Sequence, residues 1–301
     1  MKKLLLITAF SMITGCCIAQ EWFTSFDVAK HLALVQNKML FVLWEESFSG
    51  SIPLMVKSDS GTTIVIDLAK DTSWDTVIKE YFVPVRLQEA NYEAFIKAAD
   101  GRSYNYVNKL LDNSIKIMDI NGNILNVDMS TEVLTNFTEL IDKYALNTAF
   151  INMELRNYDK DKSYLTSYLL GEKYIEYAIY ATKETRSDII DLANIYLSES
   201  ETLAAKSDLA TVRAVKQKIE LIRIEESLIL ERTGKARRQL NRIEADEIDP
   251  INERLYGFLQ YTIHQLRNDE TNAELWKSKI SSLDLRKAEM ILNILKHGNY
   301  N

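Results

Sequence analysis

Apolar and polar positions change rhythm twice along the 301 residues of this chain. A short apolar stretch from Leu4 to Ile13 comes first, and from about Trp22 to Asn147 helical spacings alternate with brief apolar runs. SFDVAKHLALVQNK places Phe26, Ala29, Leu32, Ala33 and Val35 at the spacing of one helical face. MLFVLW is a continuous apolar run, which predicts a strand covered on both sides. SWDTVIKEY predicts a helix with Ser73 as its N-cap, and the strand FVPVRL follows from Phe82 to Leu87. NYEAFIKAA and YNYVNKLL are short helical stretches. SIKIMDI, NGN and ILNVDM predict a hairpin, because Asn-Gly accepts the positive φ angles of a type I′ turn. A helix from about Thr131 to Tyr144 closes this part, with Val133, Leu134, Phe137, Leu140, Ile141 and Tyr144 facing inward. The order is a βαβ unit followed by a ββα unit.

Beyond Asn147 strand alternation disappears. Residues 149–297 hold three glycines and one proline, and eight of the fifteen tyrosines fall between Tyr144 and Tyr196. Tyr164, Leu165, Tyr168 and Leu169, then Tyr174, Tyr177 and Ala178, keep helical spacing, as do Ile189, Ile190, Ala193 and Tyr196. The longest helix is expected from Leu209 to about Leu230, with Val212, Val215, Ile219, Ile222 and Ile229 as a seam that Glu226 interrupts. ERTGKARRQLNR sets Arg232, Lys235, Arg237, Arg238 and Arg242 against Glu231, which suits a solvated turn near Thr233-Gly234 or an anionic partner. Asp249-Pro250 predicts a break, since proline disfavours helical geometry in the residue before it. Two closing helices are expected, about Ile251 to Arg267 and Asn272 to Lys296. Leu170-Gly171 with Tyr174 faintly resembles the start of a tetratricopeptide repeat, but no period recurs. An irregular array of antiparallel helices is the expectation.

Composition adds size and compartment. Hydrophobic residues make up 47% of the chain and charged residues 26%, with only three prolines, so a folded protein large enough for two domains is expected. The net charge of -7 argues against nucleic acid as a partner. Lys2 and Lys3 ahead of the apolar Leu4–Ile13 stretch make residues 1–19 an export signal, too short in its apolar core for a comfortable membrane span. Cleavage after Cys17-Ile18-Ala19 is preferred. The alternative is a lipobox, Ile13-Thr14-Gly15-Cys16, with Cys16 lipidated and anchoring the protein. The expected location is periplasmic or secreted, with a membrane-anchored lipoprotein as the alternative. Both cysteines, Cys16 and Cys17, lie in this segment, so a chain cleaved at Ala19 has no thiol.

Residues Trp22 to Tyr144 resemble the thioredoxin superfamily, especially exported bacterial thioredoxin-like proteins. EWFTSFDVAKHLALVQNKMLFVLW is similar to the family's first helix and core strand, FVPVRL to its next strand and Asp119 to Asn123, DINGN, to its D-x-x-G hairpin. The resemblance implies a thioredoxin-like α/β/α sandwich over residues 20–147, followed by a helical domain over 148–301. It sets Phe48-Ser49-Gly50-Ser51-Ile52 where the family has W-C-x-x-C, and Asn113-Ser114 where it has the cis-proline and threonine. Ser58 to Lys70 matches nothing in the family and reads as an insertion.

Those replacements decide the chemistry. In the family the first cysteine sits at a helix N-terminus, which stabilises a thiolate. Ser49 keeps a hydroxyl that stays protonated, and Ile52 is a hydrocarbon, so disulfide exchange is excluded at this site. A hydrolytic Ser49 needs a general base, and His31, His264 and His297 sit in no recognisable motif with it. Ser49, Gly50 and Ser51 are expected to form a polar turn capping a next helix, with Pro53 in its first turn; alternatively its free N–H groups form a weak anion or carboxylate site. The Asn113 loop is expected to be trans, with the Asn113 and Ser114 side chains free to bond a ligand. Three scattered histidines argue against a metal site, and the acidic runs at Glu45-Glu46 and Glu244–Asp249 lack calcium-loop spacing. No nucleotide-binding glycine motif is present, and no cofactor is expected. The resulting expectation is a redox-inactive thioredoxin-like module in the cell envelope with a helical domain, acting in protein or peptide binding or as a chaperone-like protein. The alternatives are non-thiol enzyme chemistry at Ser49 and a structural envelope protein.

Overall fold

The computed structural model describes residues 22–57, 61–128 and 134–298. The expected export signal with Cys16, Ser58 to Ser60 of the expected insertion and the Thr131–Val133 start of the expected closing helix lie outside the described residues. The chain begins with α1 (Phe26–Gln36), β1 (Met39–Trp44), a 3-10 turn (Glu45–Ser49), β2 (Pro53–Lys57), β3 (Thr63–Asp67), α2 (Asp75–Tyr81) and β4 (Phe82–Leu87). It continues through α3 (Tyr92–Ala98), α4 (Tyr104–Leu111), β5 (Lys116–Met118), β6 (Thr135–Asn136) and α5 (Phe137–Tyr144).

Two small mixed sheets result, in the orders β4-β1-β5 and β3-β2-β6. β1 is parallel to β4, from Met39 opposite Phe82 to Trp44 opposite Leu87, and antiparallel to β5 through Leu40 opposite Met118. All six residues of β1 are buried, as its unbroken apolar run requires. Pro84 is tolerated because β4 is an edge strand. Its carbonyl accepts from Phe23 N–H, and Arg86 N–H donates to Phe23 O, so the missing proline N–H faces the thinly paired side. On α1, Ser25 accepts from Val28 N–H as the N-cap, and Asn37 closes the helix at φ 55°. Leu34 is buried and Val35 is 70% exposed, one position round from the expected face.

Several expectations change. Ser58–Lys70 contains β3, paired antiparallel to β2 with Leu54 opposite Ile66 and Val56 opposite Ile64. The β-branched run Thr62-Thr63-Ile64-Val65-Ile66 is the strand signal there. Residues 124–128, the described part of ILNVDM, form no strand. Only Ile124 bridges to Met118, because the Asn126 side chain takes over the ladder, its Oδ1 accepting from Ile117 N–H at 2.8 Å and its Nδ2 donating to Ile115 O at 3.0 Å. The preceding turn is not type I′, since among Asn121 and Gly122 only Gly122 has a positive φ. Asp71 rather than Ser73 caps the segment before α2, accepting from Ser73 N–H. α5 starts at Phe137 because Thr135 and Asn136 pair with β2 and the Asn136 side chain caps the helix.

The rest is helical: α6 (Asn152–Lys160), α7 (Tyr164–Tyr180), α8 (Lys183–Ala204), α9 (Leu209–Ile229), α10 (Thr233–Leu240), α11 (Glu253–Leu266), α12 (Glu270–Lys277) and α13 (Ser282–His297). The molecule is thus an α/β part joined to an all-α part. The basic segment is the helix α10, not a bare turn, with Ala236 and Leu240 buried and its cations exposed. Glu226 does not open the α9 seam to water; it is buried with Leu221, Ile224 and Leu228. Three helices close the chain instead of two, because Ser281 and Asp284 form a capping box that starts α13 afresh. The two parts share one continuous apolar core that runs from the β1 sheet through Tyr144, Leu155 and Tyr158 to Tyr174 and Tyr196. Asn152 Nδ2 reaches back to Leu34 O at 2.7 Å, and Lys30 pairs with Asp159 across the same junction.

Candidate functional site

After β1 the Glu45–Ser49 turn ends at Gly50, whose extended φ of -109° and ψ of -165° send the chain directly into β2. Pro53 therefore opens a strand and not a helix. Ser49 is the last residue of a one-turn helix, its Oγ donates to Glu46 O at 2.6 Å, and no helix N-terminus exists beside it. The anion site expected from free helix N–H groups has no structural basis.

The next loop is held by an aspartate that lies in the segment sequence reasoning left unassigned. Asp67, at the end of β3, accepts from Ile52 N–H at 2.9 Å, Ser51 Oγ at 3.0 Å and Ala69 N–H at 3.2 Å, and pairs with Lys70 at 2.9 Å. The Ile52 N–H foremost, followed by the Lys70 ammonium, holds its carboxyl well below the usual carboxylate range.

Across a gap lies the loop after α4. Ser47 Oγ donates to Asn113 O at 3.3 Å, which ties the two loops together. Ser49, Gly50, Ser51, Ile52, Asn113 and Ser114 all line one cavity of about 270 Å³, closed by Leu54, Ile115 and Thr135. The peptide bonds of the Asn113 loop are trans. Residues 64 positions apart in sequence thus meet because β1 and β5 are neighbours in one sheet.

Beneath Asn113 and Ser114 lies a buried charged network. Lys116 Nζ donates to Asp112 O at 2.6 Å, Ser114 O at 2.8 Å and Asp112 Oδ1 at 3.1 Å. Lys109 Nζ donates to Ser114 Oγ at 2.7 Å, and Ser114 Oγ donates to Asp112 Oδ1 at 2.6 Å. Burial pushes the Lys116 ammonium down to about 8 and lowers Lys109, with the Asp112 charge opposing both shifts. Burial alone raises Asp112, but the Ser114 hydroxyl and the two lysines outweigh it and keep this carboxyl below its ordinary value. The Asn113 loop is therefore clamped from below, and Ser114 Oγ is fully engaged. A lysine five residues before a serine gave no sequence signal, because only the turn at Asp112 brings them together.

Neither Ser49 nor Ser114 has a histidine at hand. His31 Nδ1 contacts Asp27 O on α1, His264 contacts Asp269, and no histidine lines the cavity. Among the described residues no group of His, Cys, Asp and Glu is arranged to hold a metal ion, and no helix is long and apolar enough to cross a membrane. The chain matches no protein-family model, no curated protein and no solved structure. Its site has to be read from its own geometry.

The second polar cluster joins the two parts of the molecule. Asp119 Oδ1 accepts from Asn121 N–H at 2.9 Å and Asn123 N–H at 3.0 Å. Its Oδ2 accepts from the Tyr196 hydroxyl and, at 3.4 Å, from Tyr174. Asn121 Nδ2 donates to the same Tyr196 hydroxyl at 3.0 Å. Burial pushes Asp119 up to about 6 against these bonds. The aspartate before Asn-Gly was legible as a turn residue, but its tyrosine partners on α7 and α8 were not. Those tyrosines are packing residues, buried and stacked 5.8 Å apart.

Proposed function

We propose that this protein is an exported, redox-inactive thioredoxin-like module (residues 20–147) with a helical domain (148–301) that binds protein or peptide segments, and that the cavity between Ser49–Ile52 and Asn113–Ser114 is where a segment enters. The observation that carries this reading is the convergence of all six residues on one cavity, between a loop held by Asp67 and a loop clamped by Lys109, Asp112 and Lys116. The β4-β1-β5 order, with parallel and antiparallel neighbours of a buried β1, supports the thioredoxin-like sandwich. The departure is the β2–β3 hairpin, which stands where the family's active-site helix begins. Exposed Ser49, Ser51 and Asn113 supply hydroxyl and amide groups, and Ile52 and Leu54 an apolar floor, a mixture suited to backbone and small side chains.

No thiol lies outside Cys16 and Cys17, so the chain cannot run dithiol exchange at this site. The purified protein is expected to give background rates in insulin reduction. Titration with extended polar peptides, followed by amide NMR, is expected to move Ser49–Ile52 and Asn113–Ser114 together, and Ile52→Trp, which fills the cavity, is expected to abolish the shifts. Shifts confined to other surfaces, or thiol-dependent turnover, would overturn the proposal.

A further inference from the structure

Arg232, Lys235, Arg237, Arg238 and Arg242 set five cations in eleven residues of a chain whose net charge is -7. Elsewhere on the helical part, cations meet acids on neighbouring helices: Arg223 pairs with Glu201 at 3.1 Å, Arg254 with Asp284 at 2.7 Å and Lys287 with Glu225 at 2.5 Å. Around α10 the acids are drawn off. Glu231, just before the run, turns to α8, where it pairs with Lys183 at 3.0 Å and stands 3.9 Å from Arg186. Glu244 to Asp249, just after it, belong to a segment tied back to α9. There Gln217 Nε2 donates to Glu247 O at 2.9 Å, and Asp249 N–H donates to Gln217 Oε1 at 2.8 Å. Arg232 lies within electrostatic reach of Asp191 on α8, which leaves four. Among the described residues, Lys235, Arg237, Arg238 and Arg242 enter no ion pair and no side-chain hydrogen bond. Buried Ala236 and Leu240 fix the inward side of α10. Lys235 and Arg238 stand opposite them with Arg237 on the flank, and Arg242 follows in a turn whose N–H donates to Gln239 O at 3.1 Å. The outward side, Gly234, Lys235, Arg238 and Asn241, holds no apolar side chain.

We infer that this face rests on an anionic phospholipid surface, with Lys235, Arg238 and Arg242 against the headgroup phosphates and Arg237 at the rim. Charge sets the sign of the partner, and the missing apolar centre sets its kind. A protein partner is held by buried apolar and aromatic anchors at the middle of the interface, and this face offers none. A fluid layer of headgroups needs no such centre. Each lipid moves to meet a cation, and the contributions add, about fivefold in affinity for each Lys or Arg near the surface. Three of the four cations are arginines, whose planar fork takes two phosphate oxygens at once. The net charge of -7 opposes binding by the rest of the molecule, so the attachment is local and sensitive to salt.

The chain from Gln20 keeps every described residue and leaves out the apolar Leu4–Ile13 stretch, which would enter a bilayer by itself. In co-sedimentation at about 0.1 M NaCl it is expected to bind vesicles of mixed phosphatidylglycerol and phosphatidylcholine, but not vesicles of phosphatidylcholine alone. It is expected to detach at about 1 M NaCl, where the screening length falls to about 3 Å. The triple variant Lys235→Gln, Arg238→Gln, Arg242→Gln is expected to bind about a hundredfold more weakly. All three side chains are exposed, so its circular dichroism and Tm are expected to stay unchanged. The control Lys97→Gln, Lys160→Gln, Lys206→Gln removes the same charge from exposed positions on α3, on α6 and in the turn after α8. It is expected to change binding by no more than about threefold. Absence of binding to the anionic vesicles, equal binding to phosphatidylcholine alone or an equal loss in the control would overturn the inference. So would tighter binding to a DNA duplex or to poly-glutamate than to the anionic vesicles.

Discussion

Glu226 shows how a single residue changes meaning between sequence and structure. Along α9 it breaks an apolar seam, which suits a solvated position, yet it is only 8% exposed and its Oε1 has no hydrogen-bond partner. Burial pushes it up to about 7 from an ordinary 4.5, with the Asn194 side chain and Arg223 opposing. A carboxyl raised in the folded state favours folding while it is neutral in both states. Its contribution is present below pH 4.5 and is lost as pH rises through about 7. Glu226→Gln is therefore expected to raise stability at pH 8 by about 2–3 kcal/mol and to leave it nearly unchanged at pH 4, measured by urea unfolding at both values. Equal effects at the two pH values would show that the fold does not raise Glu226 above its ordinary value.

At the scale of elements, the α7–α8 hairpin depends on one close approach. A Cβ at Gly171 would stand 2.8 Å from the Leu197 side chain and 3.2 Å from Ala193 O. The helices meet there because Gly171 and Ala193 are small, and both neighbours are part of the buried core. Gly171→Ala gains helix propensity but forces the helices apart, and a net loss of about 1–3 kcal/mol is expected from overpacking. Thermal unfolding of Gly171→Ala beside Gly171→Ser measures it; an unchanged or higher Tm would mean that the hairpin relaxes freely. The Leu170-Gly171 pair was visible in the sequence, but only α8 reveals what the glycine makes room for. The hairpin β2–β3 was hidden for a related reason. Pro53 suits the first turn of a helix and Ser58–Lys70 matches nothing in the thioredoxin pattern, although the β-branched run Thr62–Ile66 favours a strand.

At the scale of the whole molecule, the two parts behave as one packed body sharing a core, and Asp119 lies where they meet. Removing its carboxylate leaves the Tyr174 and Tyr196 hydroxyls and the Asn121 and Asn123 N–H groups short of an acceptor. Asp119→Ala is expected to cost about 2–4 kcal/mol, and hydrogen exchange is expected to quicken both in residues 119–125 and in α8 around Tyr196. Exchange that changes on one side only would mean that the halves are held together elsewhere. Tyr196→Phe, which leaves the turn bonds of Asp119 in place, is expected to cost less.

What the amino-acid order determined by itself were properties carried by local pattern and residue identity. The unbroken run Met39–Trp44 could only be a strand buried on both faces, and Asp249-Pro250 had to interrupt the helices. The absence of thiol chemistry at positions 49 and 52 follows from serine and isoleucine alone. Tertiary structure decided everything that depends on a partner distant in the chain. Asp67 turned Ser51 and Ile52 into a fixed wall, Lys109 and Lys116 gathered beneath Ser114, and Asp119 found two tyrosines more than fifty residues away. The physical reason is shared by all three. A charged side chain is stable in a protein interior only when specific groups satisfy it, and those groups are chosen by the packing of sheets and helices, which spacing along the chain does not encode.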